Sequence, residues 1–213
     1  MANFITIFRI FLVFISIYLL FRGTPHSFIW ALVLAVIAFA LDGVDGYVAR
    51  KFNETSKLGA VLDIMSDRIA ENAYWVAFAV LGWLPICFPL IALTRGFVVD
   101  GLRSVAMEQG FTAFGETSMQ NDKIGYFICS SKFSRIAYAV AKLLAFILLI
   151  LGHTPHMDKF LAAVINVLAV LSAIIAIEFC VVRGLPVVFE SKKLFAKPKE
   201  ENQPSPSSQS FDE

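Results

Sequence analysis

The chain has 213 residues, of which 58% are hydrophobic, and its mean hydropathy is +0.72. It is too apolar for an ordinary soluble domain and too short for two large domains. With a net charge of +1, the chain lacks the excess of basic residues that is typical of nucleic-acid-binding proteins. Cys87, Cys129 and Cys180 lack the spacing of a metal site. We therefore expect one all-α integral membrane domain in the lipid bilayer that binds no nucleic acid.

Six apolar runs follow one another along the chain, and each predicts a transmembrane helix. Most approach the roughly 20 residues that a helix needs to cross about 30 Å of hydrocarbon. The first run lacks a basic leader and a small-residue cleavage site, so we interpret it as a retained helix. The runs are about Phe4 to Phe21, Phe28 to Arg50, Leu58 to Leu81, Leu84 to Met107, Arg135 to Leu151 and Phe160 to Val182.

The C-terminal residues differ sharply in composition from the apolar runs. From Lys197 onward the chain is polar and rich in proline and serine. Such a segment has too few apolar side chains to offset the entropy cost of ordering. We expect residues 1–190 to form the membrane domain and residues 191–213 to form a disordered cytoplasmic tail.

Lysine and arginine residues predict the orientation in the membrane. They flank the turn between helices two and three, the segment between helices four and five, and the end of helix six. In an even-numbered bundle these three regions lie on one side, and the opposite side has only Arg22 and Lys159. We expect both termini and the active site to face the cytoplasm, most simply at a bacterial inner membrane.

Four aspartates lie in the second and third predicted helices. Asp42 and Asp45 are three residues apart, and Asp63 and Asp67 are four apart, so each pair occupies one helix face. Carboxylates at membrane depth need a cation, a charged partner or a water-filled cavity. A short polar turn lets the two helices run antiparallel, which predicts a site for hard divalent cations between helices two and three. The alternative is that the aspartates are ordinary helix-end charges.

Fixed intervals connect these aspartates to other residues. The pattern is Asp42-x2-Asp45-Gly46-x2-Ala49-Arg50-x8-Gly59-x3-Asp63-x3-Asp67. It resembles the signature of the CDP-alcohol phosphotransferases, also called CDP-alcohol phosphatidyltransferases, which are membrane enzymes that make phospholipids. The resemblance implies a homodimeric transferase that moves a phosphatidyl group from CDP-diacylglycerol to a small alcohol phosphate and releases CMP.

The resemblance also implies roles for individual residues. Asp42, Asp45, Asp63 and Asp67 would be metal ligands, and Asp67 would also be the general base that deprotonates the acceptor hydroxyl. Two Mg²⁺ ions are expected, with Mn²⁺ as the alternative. Gly46 and Gly59 have no side chain, so the substrate or a neighbouring helix could approach the backbone closely there. Arg50 would bind a phosphate oxygen. The predicted donor-binding residues are Asn3, Thr6, Gly46, Arg50 and Gly59.

The N-terminal pattern Asn3-x2-Thr6-x2-Arg9 resembles the first helix of bacterial phosphatidylglycerophosphate synthases. Spacings of three place these residues on one helix face that could approach a nucleotide. An ordinary polar helix start explains the same residues equally well.

Cationic residues predict a second pocket that would bind the phosphate of the acceptor. Its members are Arg95 and Arg103 on helix four, and Lys132 and Arg135 before helix five. Each has an alternative: Arg95 could pair with Glu71, Arg103 could pair with Asp100, and the other two could be membrane anchors. Lys142 and Glu178, deeper in helices five and six, are expected to be structural.

A cationic pocket beside a metal site favours a phosphorylated acceptor. Together with the resemblance of the N-terminal pattern, it implies glycerol 3-phosphate as the acceptor and phosphatidylglycerophosphate as the product. The chain has Arg95-Gly96 where that branch often has Arg-Glu, and Ser131-Lys132-Phe133-Ser134-Arg135 where it has Gly-Lys-x-Lys-Thr. Inositol phosphate, serine or another alcohol therefore stays open as the acceptor. An alternative function is a divalent-cation transporter, which would explain the aspartates but not the fixed intervals of the glycines and the arginine. Another alternative is an inactive scaffold that retains the fold, and the presence of all four aspartates argues against it.

Overall fold

The computed structural model describes residues 2–51, 57–108 and 132–191. Within these ranges the side chains at positions 2, 44–51, 57, 58, 60, 107, 132, 133, 135 and 190 lie outside the description. The described part consists of six helices, each matching one predicted apolar run: α1 Ala2–Arg22, α2 Pro25–Lys51, α3 Lys57–Val80, α4 Cys87–Glu108, α5 Lys132–Gly152 and α6 Lys159–Glu190. The predicted all-α fold is confirmed. Apart from Ser191, the tail lies outside the described residues.

Local sequence explains where α1 ends and α2 begins. Gly23 has a φ of 68°, a left-handed conformation that ends a helix at little cost when the residue is glycine. Thr24 then caps α2, because its hydroxyl accepts from the Ser27 amide at 3.2 Å while the Ser27 hydroxyl oxygen accepts from the Thr24 amide at 3.1 Å. Pro25 is the first residue of α2, where its missing N–H is no loss. The result is a tight turn that places the two helices side by side.

An aromatic cluster forms the centre of the bundle. The Phe146 ring of α5 is fully buried and contacts the rings of Tyr74, Trp75 and Phe78 on α3 at centroid distances of 5.3, 4.8 and 5.4 Å. Phe39 of α2 closes the cluster at 5.9 Å from the same ring. Aromatic pairs at these distances stabilise a core beyond the area they bury. The cluster therefore fixes α2, α3 and α5 relative to one another.

Small residues let α1 and α2 approach closely. Ala31, Ala35 and Ala38 form a buried stripe on α2. The buried Ser16 of α1 donates to the Ala31 carbonyl at 2.7 Å and accepts from the Tyr74 hydroxyl of α3 at 2.9 Å. Small residues and hydroxyl bonds of this kind are typical of helix packing in lipid. They hold the C-terminal parts of α1 and α3 against the N-terminal part of α2.

The outer surface of the bundle is apolar. Three helical segments are long and apolar enough to cross a bilayer, namely Asn3–Arg22, Pro25–Gly43 and Lys159–Phe189. Ile136–Gly152 is a shorter apolar segment. Large side chains such as Phe4, Phe97 and Phe160 are at least 74% exposed, which is favourable in lipid and costly in water. The protein is an integral membrane protein.

Helix α6 is longer than its sequence pattern predicts. The apolar run was expected to end at Val182, but the helix continues to Glu190 and includes Pro186. A proline inside a helix removes one hydrogen bond and usually ends the helix. Here Val187 packs against Val99 and Leu102 of α4, so tertiary contacts stabilise the additional turns.

Candidate functional site

Three of the four predicted aspartates converge at the end of the bundle where α2 finishes and α3 begins. Asp42 lies in the second half of α2, and Asp63 and Asp67 lie in the first half of α3. One carboxylate oxygen from each lies within 4.8 Å of the other two. The four-residue spacing puts Asp63 and Asp67 on one face of α3. Asp45 is on the same helix as Asp42, but its side chain lies outside the description.

Arg9 of α1 joins the aspartates across three helices. Its guanidinium forms an ion pair with Asp42 through Nη1 and donates to Asp67 through Nη2 at 2.9 Å. The arginine is 2% exposed, whereas the Asp42 and Asp67 side chains are 41% and 50% exposed. A charge-assisted contact to two carboxylates is strong in such partly buried surroundings. Sequence analysis placed Arg9 on a face that could approach a nucleotide and did not foresee its position between the aspartates.

Ser66 holds this arrangement in place. Its side chain is fully buried, accepts a hydrogen bond from Arg9 and donates to the Asp63 carbonyl at 2.9 Å. A serine between Asp63 and Asp67 can bond back to the preceding turn of its own helix and still present an oxygen to a neighbouring helix. The contact thus ties the position of Arg9 to the backbone of α3.

The aspartate cluster fits a hard divalent cation. Mg²⁺ binds oxygen ligands at about 2.0–2.1 Å, so two ligands of one ion are at most about 4.2 Å apart. Oxygens within 4.8 Å of one another can therefore reach one ion after small side-chain rotations, or bridge two ions about 3.5–4 Å apart. The chemistry of the donor set, which is carboxylate oxygen alone, suits Mg²⁺ or Mn²⁺ rather than a soft metal.

The predicted donor-binding residues are distributed around this end of the bundle. Asn3 is half-buried in the first turn of α1 and Thr6 is buried in the second turn, on the side of Arg9. Gly59 is half-buried in the first turn of α3. Gly46 and Arg50 belong to the last turns of α2, but the side chain of Arg50 lies outside the description.

Of the predicted acceptor pocket, the structure describes two side chains. Arg95 and Arg103 are half-buried on α4. The Nε atom of Arg95 is buried and has no hydrogen-bond partner among the described residues. The Arg95 side chain packs against Gly184 of α6, where a Cβ would lie 3.0 Å from its Cγ. Lys132 and Arg135 lie in the first turn of α5, with side chains outside the description.

The structure gives Glu71 and Asp100 partners that sequence analysis did not consider. Glu71 accepts from the Tyr138 hydroxyl and from Lys142 Nζ of α5, the latter at 3.0 Å. Asp100 forms a bidentate pair with Arg68, at 2.8 Å to Nε and 2.9 Å to Nη2. Both carboxylates are therefore occupied by partners other than the ones that sequence analysis considered. The structural role expected for Lys142 agrees with its contact to Glu71.

Arg183 of α6 is a residue that sequence analysis missed as a site candidate. It was counted only among the positive charges that follow helix six. In the structure it is 8% exposed and its guanidinium lies 5.4 Å from the centre of the Tyr138 ring. Lys142 approaches the same ring at 5.2 Å. The sequence feature that could have identified Arg183 is its position between two apolar stretches. Burying a charged residue in a membrane helix costs free energy, so such a residue usually has a functional or pairing role.

Four cations and two carboxylates lie together on the side of α3 that faces α4, α5 and α6. They are Arg68, Arg95, Lys142 and Arg183 with Glu71 and Asp100. Arg95 is close enough to Tyr138 and Cys180 to interact with both electrostatically. Because the buried Nε of Arg95 has no hydrogen-bond partner among the described residues, this guanidinium is suited to bind an anion.

Comparison with known proteins places these residues in a wider context. The model of the family described as CDP-alcohol phosphatidyltransferase matches residues 1–182. A protein of Mycobacterium bovis, provisionally named a cardiolipin synthase, is 29% identical over 115 residues, which are 54% of this chain and 54% of that protein.

Two further relatives carry the name CDP-diacylglycerol–glycerol-3-phosphate 3-phosphatidyltransferase. The Rickettsia bellii protein is 27% identical over 144 residues, 65% of this chain and 80% of the relative. The Haemophilus influenzae protein is 34% identical over 113 residues, 50% of this chain and 59% of the relative. The chain spans about half the length of several curated relatives that it matches.

Proposed function

Because the chain belongs to the CDP-alcohol phosphatidyltransferase family, we propose that it transfers a phosphatidyl group from CDP-diacylglycerol to glycerol 3-phosphate and releases CMP. The observation that carries this proposal is the convergence of Asp42, Asp63 and Asp67 at one end of the bundle. The names of the Rickettsia and Haemophilus relatives support the donor and the acceptor.

In this proposal, the metal ligands are Asp42, Asp45, Asp63 and Asp67. Two Mg²⁺ ions bound there would neutralise the diphosphate and polarise the phosphorus that is attacked. The aspartates contribute the negative charge and fixed positions that such ions need. Arg50, Gly46 and Gly59, together with Asn3 and Thr6, would hold the cytidine diphosphate part of the donor.

The acceptor step follows from the position of Asp67. Its half-exposed carboxylate can take a proton from an acceptor hydroxyl that enters from the same end of the bundle. The hydroxyl oxygen then forms a bond to the phosphorus next to diacylglycerol, and the bond from that phosphorus to the oxygen of CMP breaks. The proton is left on Asp67 and the electron pair leaves with CMP.

The arginines of α4 and α6 support a phosphorylated acceptor, because the planar fork of a guanidinium matches the oxygens of a phosphate. We assign the phosphate of glycerol 3-phosphate to Arg95 and Arg183, with Arg103, Lys132 and Arg135 nearer the ends of their helices. The buried Nε of Arg95 would gain a partner on binding. An acceptor without a phosphate, such as serine, would not use these guanidinium groups in this way.

The name of the mycobacterial relative favours a second candidate, in which phosphatidylglycerol is the acceptor and cardiolipin is the product. Both reactions use the same donor and the same leaving group. They differ in whether the acceptor is a small, doubly charged phosphate or a lipid with one phosphodiester charge.

The proposal also includes six membrane-spanning helices. At 1.5 Å per residue, α3, α4 and α5 with 24, 22 and 21 residues are about 32–36 Å long, which is enough to cross about 30 Å of hydrocarbon. Asp67, Arg68 and Glu71 of α3 contact α1, α4 and α5, respectively. An inner-membrane location, a cytoplasmic active site and assembly as a homodimer complete the proposal.

The test is CMP release by the purified protein with CDP-diacylglycerol and Mg²⁺. Acceptors are glycerol 3-phosphate, phosphatidylglycerol, inositol phosphate and serine, each also assayed with EDTA and with the Asp67→Asn variant. We expect release that requires glycerol 3-phosphate, stops with EDTA and falls at least about 10²-fold in the variant. Release with phosphatidylglycerol alone would select the second candidate, and no release with any alcohol would refute the transferase.

A further inference from the structure

Arg9 occupies a position that the proposed reaction has not yet used. It is a nearly inaccessible cation on α1 whose guanidinium contacts Asp42 of α2, Asp67 of α3 and the hydroxyl of Ser66. Its Nε atom is buried and has no hydrogen-bond partner within the described residues. The guanidinium is therefore bound through its two terminal nitrogens, and its Nε–H is unused.

The partners of Arg9 are the same carboxylates that would bind a divalent cation. A guanidinium within hydrogen-bond distance of Asp42 and Asp67 offsets part of their negative charge and repels a second cation nearby. Metal binding to the protein alone should therefore be weakened by Arg9.

The diphosphate of the donor changes the competition between Arg9 and the metal for Asp42 and Asp67. It adds negative charge beside the metal and offers oxygen atoms that match the fork of an arginine. A guanidinium that moves from carboxylate to phosphate keeps its charge-assisted bonds, gains a partner for Nε and frees the two aspartates for the metal.

We propose that Arg9 couples metal binding to donor binding, by competing with the divalent cation for Asp42 and Asp67 until a diphosphate takes over the guanidinium. The inference rests on the proposed function, since it assumes that the aspartates bind metal and that the donor contains a diphosphate. Its consequence is that metal and donor each bind well only in the presence of the other, as thermodynamic linkage requires.

The experiment measures Mn²⁺ binding by electron paramagnetic resonance, using the full chain in detergent with and without CDP as a soluble diphosphate. Binding of Mn²⁺ to CDP in buffer is measured separately and subtracted. In the native protein we expect CDP to tighten Mn²⁺ binding at least about tenfold, within the usual range of coupling between sites. In Arg9→Gln we expect Mn²⁺ binding without CDP to be at least about tenfold tighter than in the native protein, and the effect of CDP to shrink accordingly.

Two controls keep the result interpretable. Arg22→Gln changes an exposed arginine at the other end of the same helix and should leave both Mn²⁺ affinities at the native values. Arg9→Lys retains a positive charge but lacks the planar fork through which the guanidinium contacts Asp42, Asp67 and Ser66 together. It replaces Arg9→Gln in the experiment if Arg9→Gln does not elute as a monodisperse peak. Tighter Mn²⁺ binding than in the native protein is expected there as well.

Equal or weaker Mn²⁺ binding in the folded Arg9 variants would overturn the proposal, because Arg9 would then be a group that orients the carboxylates for the metal. This result would leave the transferase intact. If the native protein binds no Mn²⁺, with or without CDP, the metal centre of the proposed function fails together with the inference.

Discussion

Glu71 and Asp100 illustrate how single residues set the charge inside this bundle. Glu71 is 4% exposed and binds the Tyr138 hydroxyl and Lys142, and Asp100 binds Arg68 through both of its oxygens. Each of these carboxylates is therefore paired with a cation on a neighbouring helix. The buried Nε of Arg95, in contrast, has no hydrogen-bond partner among the described residues, and Arg183 lies against the Tyr138 ring.

We predict that Arg183→Ala raises the KM for glycerol 3-phosphate at least about tenfold, because a hydrogen bond to a charged group contributes about 1.5–3 kcal/mol. The KM for CDP-diacylglycerol should change much less, since the aspartate cluster is untouched. The measurement is CMP release at varied concentrations of each substrate.

The matched control for Arg183→Ala is Arg22→Ala, an exposed arginine at the other end of the bundle. It should leave both KM values unchanged. A native KM for glycerol 3-phosphate in Arg183→Ala would mean that Arg183 is only a packing residue against the Tyr138 ring.

At the scale of helices, α5 and α6 make one of the closest contacts in the structure. The Asn166 side chain of α6 donates to the Gly152 carbonyl at 3.1 Å. A Cβ built at Gly152 would lie 2.1 Å from Asn166 Oδ1 and 3.3 Å from its backbone nitrogen. The glycine is therefore required by a close approach between helices rather than by its backbone conformation.

From this contact we predict that Gly152→Ala lowers the thermal midpoint of the protein in detergent by several degrees. The new methyl group must displace the Asn166 side chain and break its hydrogen bond, a change that costs about 1–3 kcal/mol. The measurement is the melting temperature followed by circular dichroism.

The comparison for that variant is Gly101→Ala on α4, where a Cβ meets nothing within 4 Å. Because alanine favours a helix over glycine, its midpoint should be unchanged or slightly higher. If the two variants melted alike, the close contact at Gly152 would not contribute to stability.

Helices were more predictable from the sequence than the contacts between them. Apolar runs and glycine–proline turns located all six described helices, since length and composition are local properties. The end of α6 was wrong by eight residues because its last turns depend on packing with α4.

The candidate site was predictable for the same reason, but only in part. The intervals of the aspartates encode which helix faces they share, so their convergence followed from spacing. The pairs Arg9–Asp42, Lys142–Glu71 and Arg68–Asp100 join residues that are 33, 71 and 32 positions apart. No local pattern specifies which cation reaches which carboxylate, because that choice depends on how the helices rotate against one another.

At the scale of the whole molecule, polar function and apolar anchoring are separated along the bundle. The aspartate cluster, Arg9 and the cationic group lie toward the end where α1, α3 and α5 begin. The other end contains the turn after α3, where the Trp83 ring stacks on His153 at 4.3 Å. Aromatic residues at a membrane interface commonly anchor a bundle at the level of the lipid headgroups.

The proposed six-span topology makes a prediction about the two sides of the membrane. Cys87 is exposed at the start of α4, next to the turn that follows α3, and should face away from the cytoplasm. In a variant with Cys129→Ser and Cys180→Ala, a membrane-impermeant maleimide should label Cys87 in intact spheroplasts. A second variant adds Cys87→Ser and Ser207→Cys, and its tail thiol should be labelled only after permeabilisation, because positive-inside orientation puts both termini in the cytoplasm.

Labelling of both thiols from the outside would contradict the proposed topology. The proposal places three spans between Cys87 and the tail, whereas two thiols on the same side of the membrane require an even number of spans. Labelling of Ser207→Cys alone would reverse the orientation and move the aspartate cluster to the outer side, away from a cytoplasmic supply of CDP-diacylglycerol.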